Sequence, residues 1–129
     1  MKIYCCACGK EVDARLTDGS EIYAHRPDLA RLPFWKCDHC GNFVGCHHKT
    51  EERTKPLGCI PTPQIKEARQ HIHRILDPIW QSGRTSRKKT YRALALMLGL
   101  DSYHTAQIRS LDEARSVYRA VQELRGNLL

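Results

Sequence analysis

The sequence has no long apolar run and few aromatic side chains. The longest uninterrupted apolar stretch is Ala93–Leu98, whereas a bilayer span needs about 20 residues. Aromatic residues make up 7% of the 129 residues. The first residues, Met1–Cys5, contain no apolar segment of the kind that signal peptides carry. These absences predict a cytoplasmic protein and exclude membrane-spanning and fibrous classes.

The short motifs that mark many enzymes are also missing. There is no glycine-rich phosphate loop, no serine nucleophile elbow and no pair of catalytic carboxylates. Arg69, His73 and Asp77 offer the one catalytic hypothesis, a nuclease-like site, because His73 and Asp77 are four residues apart and share a helix face. We therefore expect a binding protein more than an enzyme, and no small-molecule substrate is evident.

Acidic residues are scarce in the second half of the chain. Residues 1–61 carry 9 basic and 8 acidic residues, whereas residues 62–129 carry 12 basic and 6 acidic residues. An excess of cations of this kind suits a polyanionic partner such as nucleic acid. It is equally typical of a well-solvated helical surface, and the charge alone does not choose between the two.

Cysteine is abundant, and its spacing indicates a metal site. The seven cysteines form an odd set in a chain expected in a reducing compartment, which argues against a disulfide framework. Cys5–Gly9 and Cys37–Gly41 both read C-x-x-C-G, the pattern of a zinc knuckle. Two knuckles supply four thiolates, which match the closed tetrahedral shell of structural zinc. The sequence predicts one structural Zn²⁺ held by Cys5, Cys8, Cys37 and Cys40.

The other cysteines leave alternatives open. One alternative is that Cys6 replaces Cys5 or Cys8 as a ligand, although C-x-C lacks the usual knuckle spacing. Two hypotheses remain for a group of cysteines and histidines that follows the second knuckle. The group either binds a second metal ion or, as we favour, consists of a buried cysteine beside solvated imidazoles. This group consists of Cys46, His47, His48 and Cys59.

Alternating apolar residues between the knuckles predict a small antiparallel sheet. Val12, Ala14 and Leu16 form a first strand, and Asp18-Gly19 resembles a type I′ hairpin turn into a return strand over residues 20–24. Residues 34–36 and 42–46 are the strands on either side of the second knuckle. We expect residues 1–48 to form a zinc ribbon, because so small a sheet needs its metal.

A polar linker or loop is predicted over residues 49–61, followed by a basic helical region over residues 62–129. The first helix begins at Thr62-Pro63, is kinked or ended by Pro78, and stops by Gly83. The second helix runs from Ser86 to Gly99. The third opens on the capping box Ser110-x-x-Glu113 and ends at Gly126. Ribbon and helices are expected to pack on each other.

Two features of the helical region bear on nucleic-acid binding. Residues 95–108 have the spacing of a helix-turn-helix, with residues 103–109 as the reading helix. Five cations surround the start of the second helix, where free amide groups also attract anions. This basic patch consists of Arg84, Arg87, Lys88, Lys89 and Arg92.

The whole chain resembles a family of short bacterial and phage proteins described as zinc-finger-containing. The likeness is carried by both knuckle regions, by the segment between them and by positions on the first two helices. These are residues 5–9, 18–23 and 25–29, Phe34-Trp35-Lys36-Cys37, Val44-Gly45-Cys46-His47, Pro56-Leu57-Gly58, Ala68-Arg69, His73, Asp77, Trp80, Arg87, Tyr91 and Leu94-Ala95. The resemblance implies zinc binding and a phage or mobile-element setting, and it implies no particular activity.

Taken together, the sequence predicts an α+β protein with an N-terminal zinc ribbon and a C-terminal three-helix region. We expect it to bind nucleic acid through the basic patch. The alternative is a protein–protein interaction module in which the zinc is purely structural, acting on a host or phage protein.

Overall fold

The chain folds into two compact units. A computed structural model describes residues 1–128, and the division falls between Pro63 and Gln64. Unit 1 (Met1–Pro63) contains all the strands, and unit 2 (from Gln64 onward) is helical. The fold is therefore the predicted α+β arrangement of a small antiparallel sheet region followed by a helical region. No helix within residues 1–128 is long and apolar enough to cross a membrane.

Unit 1 is built on two hairpins, each with a knuckle as its turn. Strands β1 (Lys2–Cys5) and β2 (Lys10–Asp13) pair antiparallel around the first knuckle. Strands β4 (Pro33–Lys36) and β5 (Phe43–Gly45) pair around the second, and β3 (Arg15–Asp18) adds to the outer edge of β4. The strands predicted on either side of the second knuckle are confirmed.

The predicted hairpin at Asp18-Gly19 is wrong. Asp18 instead caps a short helix, α1 (Gly19–Ile22), by accepting a hydrogen bond from the Ser20 amide at 3.0 Å. Gly19 has a negative φ, and it is required for a different reason, because a Cβ there would overlap the carbonyl oxygen of Leu29. The strand predicted through residues 12–16 is likewise broken, since buried Ala14 separates β2 from β3.

The segment 49–61, described from its composition as a polar linker, lies within unit 1. Ile60 is fully buried and pairs with Cys5 in a parallel bridge, and Pro56 pairs with Cys46 in an antiparallel bridge. Ile60 also belongs to the unit's apolar cluster. That cluster consists of Ile3, Cys5, Ala14, Cys37, Val44 and Ile60.

Unit 2 contains three long helices: α2 (Pro63–Gln81), α3 (Arg87–Leu98) and α4 (Leu111–Leu128). Helix α2 continues through Pro78, so that proline does not end it. The Ser86 side chain caps α3 by accepting from the Lys89 amide, and Gly99 closes the helix with φ +69°. The predicted end of the third helix at Gly126 is wrong, since α4 runs on to Leu128.

The helix-turn-helix prediction is also wrong. Residues 103–109 contain a single 3-10 turn, Thr105–Gln107, and no reading helix. Tyr103, Thr105 and Ile108 point into the interior of unit 2, and the Tyr103 hydroxyl lies 2.9 Å from Thr105 Oγ1. Tyr103 and Thr105 are two positions apart and are both buried, as in an extended segment and not as in an α-helix.

Candidate metal centre

Four cysteine sulfurs converge at one end of unit 1. Sγ of Cys5 lies 3.5 Å from Sγ of Cys40, and Sγ of Cys8 lies 3.8 Å from Sγ of Cys37. All four sulfurs lie within 4.8 Å of one another. Tetrahedral zinc with Zn–S bonds of about 2.3 Å sets its sulfurs about 3.8 Å apart. The donor set and its spacing therefore fit one zinc ion, as predicted.

Each knuckle aims its thiols through the same backbone turn. The Gly9 amide donates to the Cys5 carbonyl at 2.8 Å, and the Gly41 amide donates to the Cys37 carbonyl at 2.7 Å. Both glycines have positive φ, +70° and +81°. Because side chains rarely tolerate this conformation, glycine is the residue that allows the chain to turn back after the second thiol.

The four thiols differ in how the surrounding protein shifts their pKa values. Burial raises the pKa of the Cys5 thiol. Burial also acts to raise the pKa of Cys37, but hydrogen bonds from the backbone around Cys40 and His39 outweigh it and lower that pKa. Zinc binding removes the protons from all four thiols, so the affinity for the metal falls as the pH falls. With four thiolates bound, no coordination position stays open for a substrate, which is the arrangement of a structural site.

An ion cluster fixes the outer face of the second knuckle. Arg15 on β3 donates to Asp38 inside the knuckle at 2.8 and 2.9 Å, and to Glu21 on α1 at 2.8 and 3.0 Å. Lys36 also reaches Glu21 at 2.8 Å. These bonds hold the pKa of the Glu21 and Asp38 carboxyls below the usual range. The cluster ties the knuckle to the strand and helix beside it.

The hypothesis of a second metal site gains no support within residues 1–128, where the four knuckle cysteines form the one group with metal-binding spacing. His48 Nδ1 lies 3.3 Å from the carbonyl oxygen of Cys46. Cys59 lies elsewhere, with its sulfur 3.9 Å from that of Cys6. Cys6 is therefore directed to Cys59, and the zinc cluster forms without it.

The residues of the catalytic hypothesis have separate roles. Arg69 is buried, and its guanidinium donates to the carbonyl of Ile108 at 2.6 and 3.2 Å. His73 Nδ1 lies 3.3 Å from Asp77 Oδ1 on the exposed side of α2. Arg69 thus holds the 105–108 turn against α2, while His73 and Asp77 form a surface pair.

Four of the five residues of the basic patch line two separate surfaces of unit 2, and Lys89 contributes its backbone amide to the Ser86 cap. Arg87, Lys88 and Arg92 line a groove of about 530 Å³ together with Tyr91 and the segment 101–104. Arg84 lies elsewhere, in a pocket of about 420 Å³ that Arg74 and Arg125 also line. Arg74 lies 10 positions before Arg84 and Arg125 lies 41 positions after it, so the packing of helices in unit 2 is what makes the three arginines neighbours.

The fold and the cysteine cluster together define a zinc-binding protein with an additional helical unit. The chain belongs to a family whose shared region is a zinc-finger-containing domain, and the family model matches residues 1–125. Comparisons with curated proteins and with solved structures gave no match. The family therefore supports the zinc site and does not specify a role for unit 2.

Proposed function

We propose that the protein binds nucleic acid through unit 2, with zinc holding unit 1 in shape. The observation that carries this proposal is the groove beside α3, which we call the α3 groove. Its cations are Arg87, Lys88 and Arg92, all exposed. In the part of the chain that the structure describes, none of the three forms an ion pair with a carboxylate. Cations whose charge no carboxylate neutralises attract phosphate groups.

The floor of the α3 groove adds an aromatic surface. The guanidinium of Arg87 lies 4.4 Å from the centre of the Tyr91 ring, and Tyr91 meets Tyr103 edge to face at 5.5 Å. The buried Tyr91 hydroxyl has no hydrogen-bond partner within residues 1–128. Asp101 adds a carboxylate to the lining of the groove. Cations around a tyrosine are typical of surfaces that bind phosphates and stack bases.

A salt series tests this proposal with two matched variants. In the first, Arg87, Lys88 and Arg92 become alanine, and in the second, Arg74, Arg84 and Arg125 become alanine. Each variant removes three positive charges, so the overall charge changes equally. Binding to duplex and to single-stranded DNA and RNA is measured as the salt concentration rises.

Each duplex phosphate contact contributes a slope of about 0.9 log unit per tenfold change in salt. We expect the salt slope of the first variant to fall by up to the contribution of about three phosphate contacts, equally for every nucleic-acid sequence. The salt slope of the second variant should fall by less. A well-folded first variant with an unchanged slope would contradict the assignment to the α3 groove. A larger loss of slope in the second variant would place the interface at the pocket lined by Arg74, Arg84 and Arg125.

A protein partner is the second candidate, and one observation favours it. Leu96, Met97 and Leu100, at the end of α3, are 77%, 38% and 47% exposed. Grouped apolar residues on a surface are typical of protein interfaces. Absence of nucleic-acid binding at low salt would favour this candidate. Leu96→Ser with Leu100→Ser should then abolish co-purification with the partner, whereas Leu111→Ser should not.

The cellular setting is part of the same proposal. The resemblance to bacterial and phage proteins supports a role in a phage or mobile element inside a bacterial host. The seven thiols support a cytoplasmic location, because zinc thiolates and unpaired cysteines persist in a reducing compartment. Fractionation of host cells that express the protein from its own promoter would test both statements.

A further inference from the structure

Two cysteines of unit 1 that the zinc site does not use lie against each other. Sγ of Cys6 is 3.9 Å from Sγ of Cys59, although 53 positions separate them in the chain. Cys6 is half-buried, and Cys59 is 3% exposed. Neither belongs to the group of four that fits zinc. The contact is therefore a second sulfur pair beside the metal centre.

The backbone holds these two sulfurs together. The Cys6 amide donates to the carbonyl of Ile60 at 2.8 Å, and the Ile60 amide donates to the carbonyl of Tyr4 at 2.8 Å. Ile60 is fully buried in the apolar cluster, so the segment carrying Cys59 is anchored beside the first knuckle. Sulfurs in a disulfide are about 2.0 Å apart, so the two sulfurs must approach each other by about 1.9 Å from their present 3.9 Å.

We propose that Cys6 and Cys59 form a reversible disulfide when the protein meets a peroxide. The half-buried Cys6 thiol reacts first: it is oxidised to a sulfenic acid as the peroxide O–O bond breaks, and one water forms. The Cys59 sulfur then attacks the Cys6 sulfur, the S–S bond forms, and the sulfenic oxygen leaves as a second water. Two thiols thus supply the two electrons and two protons that reduce one hydrogen peroxide to water.

The crosslink has a defined structural consequence. Zinc already joins the first and second knuckles, so in the zinc-bound protein the disulfide closes only the stretch between Cys40 and Cys59. In the zinc-free protein it closes the whole stretch from Cys6 to Cys59. Because stabilisation by a disulfide grows with the closed loop, the crosslink stabilises the zinc-free form more. The pair would keep the first knuckle joined to the segment that carries Ile60 when the metal is lost.

The test treats the zinc-bound full chain with one equivalent of hydrogen peroxide. Remaining thiols are alkylated, the protein is digested, and crosslinked peptides are identified by mass spectrometry while a chromogenic chelator reports released zinc. We expect a single crosslink between Cys6 and Cys59, two fewer free thiols, retained zinc, and recovery of both thiols with dithiothreitol.

Matched serine variants make the outcome decisive. Cys6→Ser and Cys59→Ser should each abolish the crosslink, whereas Cys46→Ser, which removes another buried thiol, should keep it. Crosslinks among the knuckle cysteines with parallel zinc loss would overturn the proposal. Persistence of all thiols in the parent protein under conditions that oxidise a reference dithiol would overturn it as well.

Discussion

Unit 1 and unit 2 are of similar length, yet they bury different kinds of side chain. Two of the six residues in the apolar cluster of unit 1 are zinc-site cysteines, Cys5 and Cys37. Ile60 is the one large aliphatic side chain that unit 1 buries to below 2% exposure within residues 1–128, whereas unit 2 buries six in the part of it that the structure describes. These are Ile72, Leu76, Leu94, Ile108, Val117 and Val121.

The difference follows from what each length of chain can bury. A unit of about 60 residues is marginal if apolar burial alone must offset the loss of chain entropy. Short strands of three or four residues and a helix of four residues add little in unit 1. Zinc supplies the missing stabilisation there, whereas the three long helices of unit 2 give it an interior of its own.

The largest expected effect is loss of the metal from unit 1. We expect Cys37→Ser to release zinc and unfold unit 1, because a structural zinc site contributes about 10–16 kcal/mol of folding free energy. Zinc content is measured by metal analysis. Unfolding is followed by fluorescence of Trp35, whose indole N–H donates to the Thr54 carbonyl, in a Trp80→Phe background.

Cys6→Ser is the matched control, since it removes a neighbouring thiol outside the zinc group. It should retain zinc and the Trp35 signal. Helical circular dichroism should survive in the Cys37→Ser protein, because the helices of unit 2 have a separate apolar interior. Loss of that helical signal would show that unit 2 also depends on the metal, and the comparison would fail.

Sequence reasoning succeeded where chemistry fixes the spacing of residues. The C-x-x-C-G pattern located all four sulfurs, because zinc geometry and the turn after each pair leave few alternatives. The Ser86 cap and the Gly99 terminus of α3 were equally local signals. Such features depend on residues a few positions apart, which a sequence displays directly.

Sequence reasoning failed where the role of a residue depends on contact with a distant part of the chain. Gly19 was interpreted as a hairpin glycine, but its role is to leave room for the Leu29 carbonyl. Ile60 follows the polar stretch 49–55, and treating the whole segment 49–61 as a linker misses its place in the core. The contact between Cys6 and Cys59 depends on the return of residues 59–60 to the first knuckle. The grouping of Arg84 with Arg74 and Arg125 depends instead on the packing of helices within unit 2. Composition does not show which residues, distant in sequence, approach each other in the fold.

A smaller effect is expected from a cavity in unit 2. Leu76 is fully buried on α2, and Leu76→Ala should cost about 2–5 kcal/mol of folding free energy. Thermal melting of the helical signal would move to lower temperature while the zinc content stays unchanged. Leu96→Ala is the control, because Leu96 is 77% exposed and should change stability little. Loss of zinc in Leu76→Ala would contradict the independence of the two interiors.

The smallest effect concerns alkaline pH and is expected in unit 2 alone. Burial raises the pKa of Tyr103 from its ordinary value of 10.0 to about 12, and the bond to Thr105 only partly opposes this. A buried neutral phenol stabilises the fold fully below pH 10, where folded and unfolded chains are both protonated. As the pH rises from 10 toward 12, the unfolded chain loses this proton first, so stability falls by at most about 2.7 kcal/mol.

Helical melting measured across this window should show the decline in the parent protein and a flatter profile in Tyr103→Phe. Tyr118→Phe, at a tyrosine that is 40% exposed, should keep the parent's slope. Equal slopes in the parent protein and Tyr103→Phe would assign the alkaline sensitivity to another group.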